Sequence, residues 1–290
     1  MLPIELENLV KELLTKTLGE VVEIRQIKSV GGGSINQTVH IQTNDKPYFL
    51  KFNSSSRYPN MFEVEKKGLN LLKEANELFV PEVIGAGEGG EYAFLLLDYV
   101  DSGIQQKNYW EDFGSSLAQL HKHSAPKFGL DHDNYIGSLD QSNKQQDSWS
   151  EFFISERLEP QIRVAELPSD VMRMFSTLFG KLEKIFPKET PSLLHGDLWS
   201  GNYMTSPKGA PTLIDPAVYY GHREMDIGMS KLFGGFATEF YSAYNSTWPL
   251  ERGWENRVDI CNLYPLMVHV NLFGGSYLSQ VNSILNKFTA

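Results

Sequence analysis

The sequence predicts an α+β fold with a small β-rich lobe over residues 1–100 and a larger, mainly helical lobe over residues 101–290. Short β-like runs with a helical pattern among them fill the chain before residue 100, whereas helical spacing dominates after Ser102. A chain of 290 residues can bury a sizeable core. This length suits one two-lobed unit or two small domains.

The first predicted elements are an amphipathic helix and two strands joined by a glycine-rich turn. Leu6, Val10 and Leu13 recur at helical spacing, and β-like runs follow at Val21–Val30 and Asn36–Thr43. Glycines at such a turn let backbone N–H groups approach phosphate oxygens, because no Cβ intervenes. Taken alone, the segment is equally well explained as a plain hairpin turn. Its candidate nucleotide ligands are Gly31, Gly32, Gly33, Ser34 and Asn36.

A lysine lies inside the next apolar strand, and a glutamate lies on the helix that follows it. Lys51 is embedded in the run Pro47–Phe52, where a phosphate ligand makes more sense than a core side chain. The alternative is an edge-strand lysine whose ammonium reaches water. Helical spacing over Met61–Glu77 places Glu65 on the apolar stripe, so we expect it to pair with Lys51, with Glu63 as the second choice. Both glutamates could instead be favourable charges at a helix N-terminus.

The predicted first lobe ends in two short strands and a hinge. The strands are Val83–Gly87 and Tyr92–Tyr99, with a turn containing two glycines between them. Asp98, Tyr99 and Val100 then form the expected hinge, where backbone groups could hydrogen-bond an adenine ring.

The second lobe is predicted to be mostly helical. A long polar stretch, Lys127–Asp147, interrupts it, and loops of this length in a compact domain are usually functional. The candidate helices are Tyr109–Lys122, Trp149–Glu166, Ser169–Phe186, Glu224–Phe240, Arg252–Phe273 and Ser276–Lys287.

Composition excludes several classes of protein. The net charge of −10 argues against a nucleic-acid partner, which would require a basic face, and it is compatible with a cationic or amine-bearing substrate. The longest apolar run, Tyr92–Leu97, is too short to span a bilayer, and the N-terminus lacks the basic region of a signal peptide. The single cysteine, Cys261, excludes an internal disulfide and is expected to be a packed core thiol. We therefore expect a cytoplasmic protein with no membrane partner.

One motif carries the predicted chemistry. The segment from His195 to Asn202 reads His-Gly-Asp-Leu-Trp-Ser-Gly-Asn, and Asp215 follows a short apolar run. Phosphoryl transfer needs one carboxylate to accept the alcohol proton, and a carboxylate with an amide oxygen to hold Mg²⁺ on the phosphates. Asp197 is the candidate base, and Asn202 and Asp215 are the candidate metal ligands. The alternative is a surface loop whose polar side chains only cap turns.

The order of these motifs resembles the protein-kinase-like fold of aminoglycoside phosphotransferases and choline kinases, and most of all the fructosamine/ketosamine kinase family. The resemblance rests on the glycine turn, Met61–Glu65, His195–Asn202, Ile214–Asp226 and Met229–Phe236. It implies ATP- and Mg²⁺-dependent phosphorylation of the 3-hydroxyl of ketosamines, the rearranged adducts of sugars with amines. The phosphorylated adduct then breaks down, which implies a role in protein deglycation. Ser34 stands where many members have a cysteine, so thiol switching is not expected there.

Three residues near the motif have expected supporting roles. Trp199 offers a flat apolar face beside the base for a sugar or a cationic amine, although it could instead be a packing residue under the loop. Asp226 could brace the catalytic loop by accepting backbone hydrogen bonds, or cap a helix. His195 is expected to be a structural brace, because Asp197 occupies the position of the base.

Three functions remain open from the sequence. The first is a ketosamine kinase acting on a small-molecule or protein-bound adduct as a monomer. The second keeps the fold but takes an aminoglycoside, choline or another small alcohol. The third is a non-catalytic nucleotide-binding protein, which would be expected to lack at least one of the four central polar residues, and Lys51, Asp197, Asn202 and Asp215 are all present.

Overall fold

The chain forms two compact units. The computed structural model describes residues 2–31 and 35–289. One unit comprises Met1–Lys107 with Met204–Ile214, and the other comprises Asn108–Tyr203 with Asp215–Ala290. The sequence predicts a boundary at residue 100 and assigns residues 204–214 to the second lobe. The first unit therefore reaches further along the chain and is discontinuous.

The first unit is built on an antiparallel sheet of five strands in the order β1-β2-β3-β5-β4. Helix α1 precedes the sheet, and helix α2 follows β3 in the chain. The elements are α1 (Ile4–Leu18), β1 (Ile24–Ser29), β2 (Gln37–Thr43), β3 (Pro47–Ser54), α2 (Met61–Ala75), β4 (Val83–Gly89) and β5 (Tyr92–Asp98).

The apolar stripe of α1 explains how this unit packs. Leu6, Val10 and Leu14 are fully buried and belong to the same core cluster as Ile41 and Leu50 of the sheet. Because β3 lies between β2 and β5, both of its edges are paired, and Leu50, Lys51 and Phe52 within it are buried. Gly32, Gly33 and Ser34 of the predicted glycine turn lie outside the described residues.

The second unit is mainly helical. Its helices are α3 (Tyr109–Lys122), α4 (Trp149–Phe152), α5 (Glu159–Ala165), α6 (Ser169–Ile185), α7 (Glu224–Leu232), α8 (Thr238–Thr247), α9 (Trp254–Phe273) and α10 (Leu278–Thr289). The short strands are β6 (Asn134–Ile136), β7 (Leu139–Gln141), β8 (Ser192–Leu194), β9 (Tyr203–Thr205), β10 (Pro211–Leu213) and β11 (Tyr219–Gly221), which pair as β6-β7, β8-β11 and β9-β10. Of these short strands, β10 and all of β9 except Tyr203 belong to the first unit.

Close helix packing in the second unit depends on one small residue. Gly114 of α3 faces the backbone of α8, and a Cβ at this position would lie 2.1 Å from the Phe240 carbonyl oxygen. Any larger side chain would separate the two helices. Along the described chain, no helix combines the length and apolar character needed to cross a membrane.

Three predicted elements of the second unit differ in the structure. The single helix predicted over Glu224–Phe240 is wrong, because α7 ends at Leu232 and α8 begins at Thr238. Gly234 and Gly235 lie between them with φ of 72° and 97°, a left-handed backbone that ends a helix. The helix predicted over Trp149–Glu166 contains a π-helical segment, and the long polar stretch contains the β6-β7 hairpin.

Candidate active site

The buried carboxylate of Asp226 accepts hydrogen bonds from the backbone of the loop that follows β8. The His195 N–H donates to Asp226 Oδ2 at 2.7 Å, and the Gly196 N–H donates to Asp226 Oδ1 at 2.9 Å. Gly196 has φ of 83°, and a Cβ there would lie 2.0 Å from the Ala217 carbonyl oxygen. The loop therefore requires glycine at position 196. The predicted bracing by Asp226 is confirmed, and the alternative of an N-cap is wrong because Arg223 precedes the first residue of α7.

The Asp226 carboxylate contacts His121, which in turn contacts Tyr244, and all three side chains are buried. His121 Nε2 lies 3.2 Å from Asp226 Oδ2, and His121 Nδ1 lies 2.7 Å from the Tyr244 hydroxyl. Burial alone would raise the pKa of Asp226, but the hydrogen bond and charge of His121, the charge of His195 and the Gly196 N–H hold it below its usual range. His121 was not predicted. Its place on the apolar stripe of α3 beside Leu117 was the available signal, because a buried polar side chain needs a partner.

Asp197 and Asn202 are in direct contact. Asn202 Nδ2 donates to Asp197 Oδ2 at 2.8 Å and to the Asp197 carbonyl oxygen at 2.9 Å. Burial raises the pKa of Asp197 to about 7, the Asn202 hydrogen bond opposes this, and the charges of Asp215 and Asp226 add to it. The Asp197 N–H also donates to His195 Nδ1 at 3.3 Å, consistent with His195 as a brace. The carboxylate is thus oriented and unusually basic.

Asp215 lies beside the same asparagine. Asn202 Nδ2 approaches the Asp215 carbonyl oxygen at 3.4 Å, so the structure brings the two predicted metal ligands together with the predicted base. Asp215 is exposed and has φ of 54°, a left-handed conformation that is costly for a residue with a Cβ. Because Asn202 Nδ2 faces Asp197, its Oδ1 points away from that carboxylate.

The oxygens of Asn202 and Asp215 fit a magnesium ion. Hard divalent cations prefer carboxylate and amide oxygens, and Mg²⁺ usually takes only one or two carboxylates from the protein because phosphates and water supply the rest. Within the described residues, no group of three or more His, Cys, Asp or Glu side chains is arranged so that it could hold a metal ion by itself. A carboxylate and an amide oxygen leave positions open for a nucleotide.

The first unit contains the predicted ion pair. Lys51 Nζ lies 2.6 Å from Glu65 Oε1, and the two side chains are only 5% and 12% exposed, which confirms the predicted pairing and excludes an edge-strand lysine. The second choice was wrong, because Glu63 pairs with Lys66 at 3.0 Å. An ammonium this far from water is stable only beside a carboxylate. A phosphate-binding role for Lys51 and Glu65 stays a prediction.

The predicted hinge and the flanks of the glycine turn make contacts within the first unit. Asp98 pairs with Lys46 at 2.6 Å, and its N–H donates to the Glu82 carbonyl oxygen at 2.9 Å. Tyr99 meets His40 edge-on with ring centroids 4.4 Å apart. Asn36 Oδ1 accepts a hydrogen bond from Asn53 Nδ2 at 2.8 Å. Binding of a nucleotide by Gly31, Asn36, Asp98, Tyr99 and Val100 stays a prediction.

Buried ion pairs anchor the start of α7. Arg223 makes two bonds of 2.8 Å to Glu189, and Arg257 bonds Glu224 at 2.6 and 2.7 Å. His222 lies beside them and is buried, and the Glu224 N–H donates to its Nδ1 at 3.3 Å. Burial lowers the pKa of His222 to about 4, with Glu189 opposing and Arg223 assisting, so its ring is neutral at physiological pH. Cys261 is a buried core thiol whose pKa burial raises, as predicted.

Trp199 projects from the loop beside Asp197. Its ring is 36% exposed and meets Phe233 edge-on, with centroids 5.9 Å apart. A Cβ on Gly201 would lie 2.4 Å from the indole ring, so the ring packs on its own loop and also presents an open surface to solvent. Contact with the acceptor stays a prediction.

Comparison with known proteins decides the family. Residues 6–290 match the family model described as fructosamine kinase, which is nearly the whole chain. The chain belongs to the fructosamine kinase family. This confirms the resemblance on which the sequence prediction rests.

Individual relatives agree with this family assignment. A probable ketoamine kinase of Enterococcus faecium is 44% identical over 265 residues, covering 89% of this chain and 94% of its own. A chloroplastic protein-ribulosamine 3-kinase of Arabidopsis thaliana is 39% identical over 282 residues, covering 94% of this chain and 85% of its own. The crystal structure of a candidate fructosamine-3-kinase from Haemophilus somnus has a TM-score of 0.88 at 31% identity and covers 97% of both chains. The α+β kinase-like fold is confirmed, and this fructosamine kinase family member is an ATP-dependent phosphotransferase.

Proposed function

We propose that this protein transfers the γ-phosphoryl group of ATP to the 3-hydroxyl of ketosamines, after which the phosphorylated adduct breaks down and the amine is released. The family and the relatives named for ketoamine and ribulosamine kinases support this substrate class. The observation that carries the proposal is the state of Asp197, which is oriented by Asn202 and has a pKa of about 7.

Asp197 is the group that accepts the hydroxyl proton. A general base works best when its pKa lies near the operating pH, because it is then both deprotonated and able to take a proton. A carboxylate with an ordinary pKa would be a weak base, whereas burial makes Asp197 a stronger one. The Asp226 brace keeps the loop from moving, so the carboxylate stays aimed at the acceptor.

Asn202 and Asp215 would hold Mg²⁺, which supplies neutralisation of the phosphate charge when bound. Asn202 links this role to the base, because its Nδ2 orients Asp197 while Oδ1 points away from it. The left-handed backbone of Asp215 supports a functional constraint at that residue. In the first unit, Lys51 would contact the nucleotide phosphates, with Glu65 fixing its ammonium.

Further parts of the proposal follow from the family and the composition. The acceptor is a ketosamine, either free or attached to a protein lysine, and the ring of Trp199 takes part in binding it. We expect the protein to act as a monomer in the cytoplasm, since one cysteine and a net charge of −10 suit that compartment.

The proposal is tested by supplying ATP and Mg²⁺ with a panel of acceptors. Ribulosyl-lysine and fructosyl-lysine should support ADP formation and should yield a 3-phosphate visible by phosphorus NMR. Kanamycin and choline should not. Turnover of an aminoglycoside with no activity on any ketosamine would refute the substrate class while leaving the phosphotransferase chemistry intact.

A further inference from the structure

A line of aromatic rings in mutual contact begins beside the candidate base, and three of its five members are exposed. Trp199 contacts Phe233 with centroids 5.9 Å apart, and Phe233 contacts His269 at 4.9 Å. His269 then contacts Phe273 at 5.4 Å and Tyr277 at 4.9 Å. We call these five residues the aromatic strip. All of them belong to the second unit.

The strip is held in place by the turn between α7 and α8. Gly235 packs against the catalytic loop so closely that a Cβ there would lie 2.5 Å from Ser200 Cβ. The Tyr203 hydroxyl donates to the Gly235 carbonyl oxygen at 3.0 Å, and Phe236 packs on Tyr203 at 5.0 Å. These contacts fix the residue just before the glycines, Phe233, edge-on to Trp199.

Three residues of the strip are exposed, whereas His269 and Tyr277 are partly buried. Trp199, Phe233 and Phe273 are 36%, 38% and 58% exposed, although large aromatic side chains are normally covered. Clustered apolar side chains left open to solvent mark a binding surface more often than isolated ones do. Because Trp199 is two residues from Asp197, this surface starts where the acceptor hydroxyl must lie.

The chemistry of the strip suits a cation followed by an aliphatic chain. Ring faces attract ammonium groups, and methylene groups gain free energy by leaving water against aromatic carbon. His269 adds no positive charge, because burial lowers its pKa. The Pro265 carbonyl oxygen, 2.7 Å from His269 Nδ1, opposes this shift only in part. The nearby ammonium of Lys231 lies over Tyr241 at 3.9 Å, outside the strip.

We propose that the aromatic strip binds the amine arm of the acceptor, so that the enzyme prefers ketosamines of long aliphatic amines, such as a lysine side chain, over those of short amines. This rests on the proposed function, which places the sugar hydroxyl at Asp197. The sugar then lies at Trp199, the secondary ammonium beside Phe233, and the methylene chain runs toward Phe273. A lysine arm has four methylene groups to cover these rings.

The test keeps the sugar constant and changes only the arm. Ribulosyl adducts of methylamine and of Nα-acetyl-lysine amide are compared in the wild type, in Phe273→Ala and in Phe273→Tyr. We expect Phe273→Ala to raise KM for the lysine adduct roughly three- to tenfold, with kcat unchanged, because the binding that is lost is equal in the ground state and the transition state. KM for the methylamine adduct should stay the same, and Phe273→Tyr should restore KM for the lysine adduct.

Phe79→Ala is the matched control, because Phe79 is 52% exposed but belongs to the first unit. It should change KM for neither adduct. A general folding defect in Phe273→Ala would reduce activity on both adducts alike, so the ratio between them remains decisive. Equal KM values for the two adducts in the wild type, or an unchanged ratio in Phe273→Ala, would overturn the assignment of the strip. Failure of every ketosamine would instead contradict the proposed function.

Discussion

Replacing Asp226 with asparagine tests the brace beneath the catalytic loop. The carboxylate faces three nitrogen atoms, His195 N at 2.7 Å, Gly196 N at 2.9 Å and His121 Nε2 at 3.2 Å. Asparagine keeps the volume but offers a single acceptor oxygen, and its NH₂ group would face at least one N–H donor. Because the lowered pKa of Asp226 makes it ionised at neutral pH, the charge is lost as well.

The expected loss of stability is large. Removing one member of a buried, hydrogen-bonded charge set costs about 3–5 kcal/mol, which is a substantial part of the stability of a typical domain. Urea unfolding followed by far-UV circular dichroism measures the change. The matched control is Asp259→Asn, since Asp259 is 40% exposed and pairs with Lys287 at the surface. That control should change stability by less than about 0.5 kcal/mol.

A loss below about 1 kcal/mol in Asp226→Asn would refute this reasoning, because hydrogen bonds to a charged group would then contribute less than ordinary ones. The kinetic result separates local from global effects. At a temperature where the variant is fully folded, kcat should still fall, since the loop that carries Asp197 has lost its anchor. Unchanged kcat would mean that the loop is positioned by other contacts.

Three further predictions concern the chemistry and the pH response. Asp197→Asn should lower kcat about 10²–10⁴-fold with ATP binding unchanged, and a variant that keeps most of its kcat would contradict the assignment of the base. Asp215→Ala should abolish Mg²⁺-dependent ATP binding in calorimetric titration, and unaltered binding would place the metal elsewhere. His222 has a pKa of about 4 when folded and 6.5 as its ordinary value, so the unfolded state binds the proton more readily and stability falls on acidification. The free energy of unfolding should drop by about 2 kcal/mol between pH 7 and pH 5 through this group, and a His222→Gln variant with an equally steep profile would refute it.

The Lys51–Glu65 pair shows what the sequence could predict well. A lysine between apolar strand residues has to find a partner, and helical periodicity selects Glu65 rather than Glu63 as the glutamate facing the sheet. The same reasoning gave α3 with both ends correct. In each case the information is local, because the pattern within one element decides which face is buried.

The break between α7 and α8 was missed for a physical reason. Apolar residues continue at helical spacing through the segment, so the periodic signal outweighed Gly234 and Gly235, which are themselves a turn signal. The π-helical segment in Phe153–Leu158 has no comparable mark in the sequence.

The contacts of His121 could not be predicted from any local pattern. Its partners Asp226 and Tyr244 lie 105 and 123 residues further along the chain. Sequence spacing predicts a catalytic loop at His195–Asn202 and Asp226 as its brace, whereas the side chains that hold Asp226 come together only through the packing of α3, α7 and α8.

The discontinuity of the first unit limits how such a protein can be divided or recombined. The Leu213 N–H of β10 donates to the Phe79 carbonyl oxygen at 2.9 Å, so a segment from the middle of the chain completes this unit. A fragment ending at Lys107 would lack that strand and leave the Phe79 carbonyl without its donor. Exchanging acceptor specificity between homologues by transplanting the second unit would therefore need three junctions, at Lys107, Tyr203 and Ile214, rather than a single crossover.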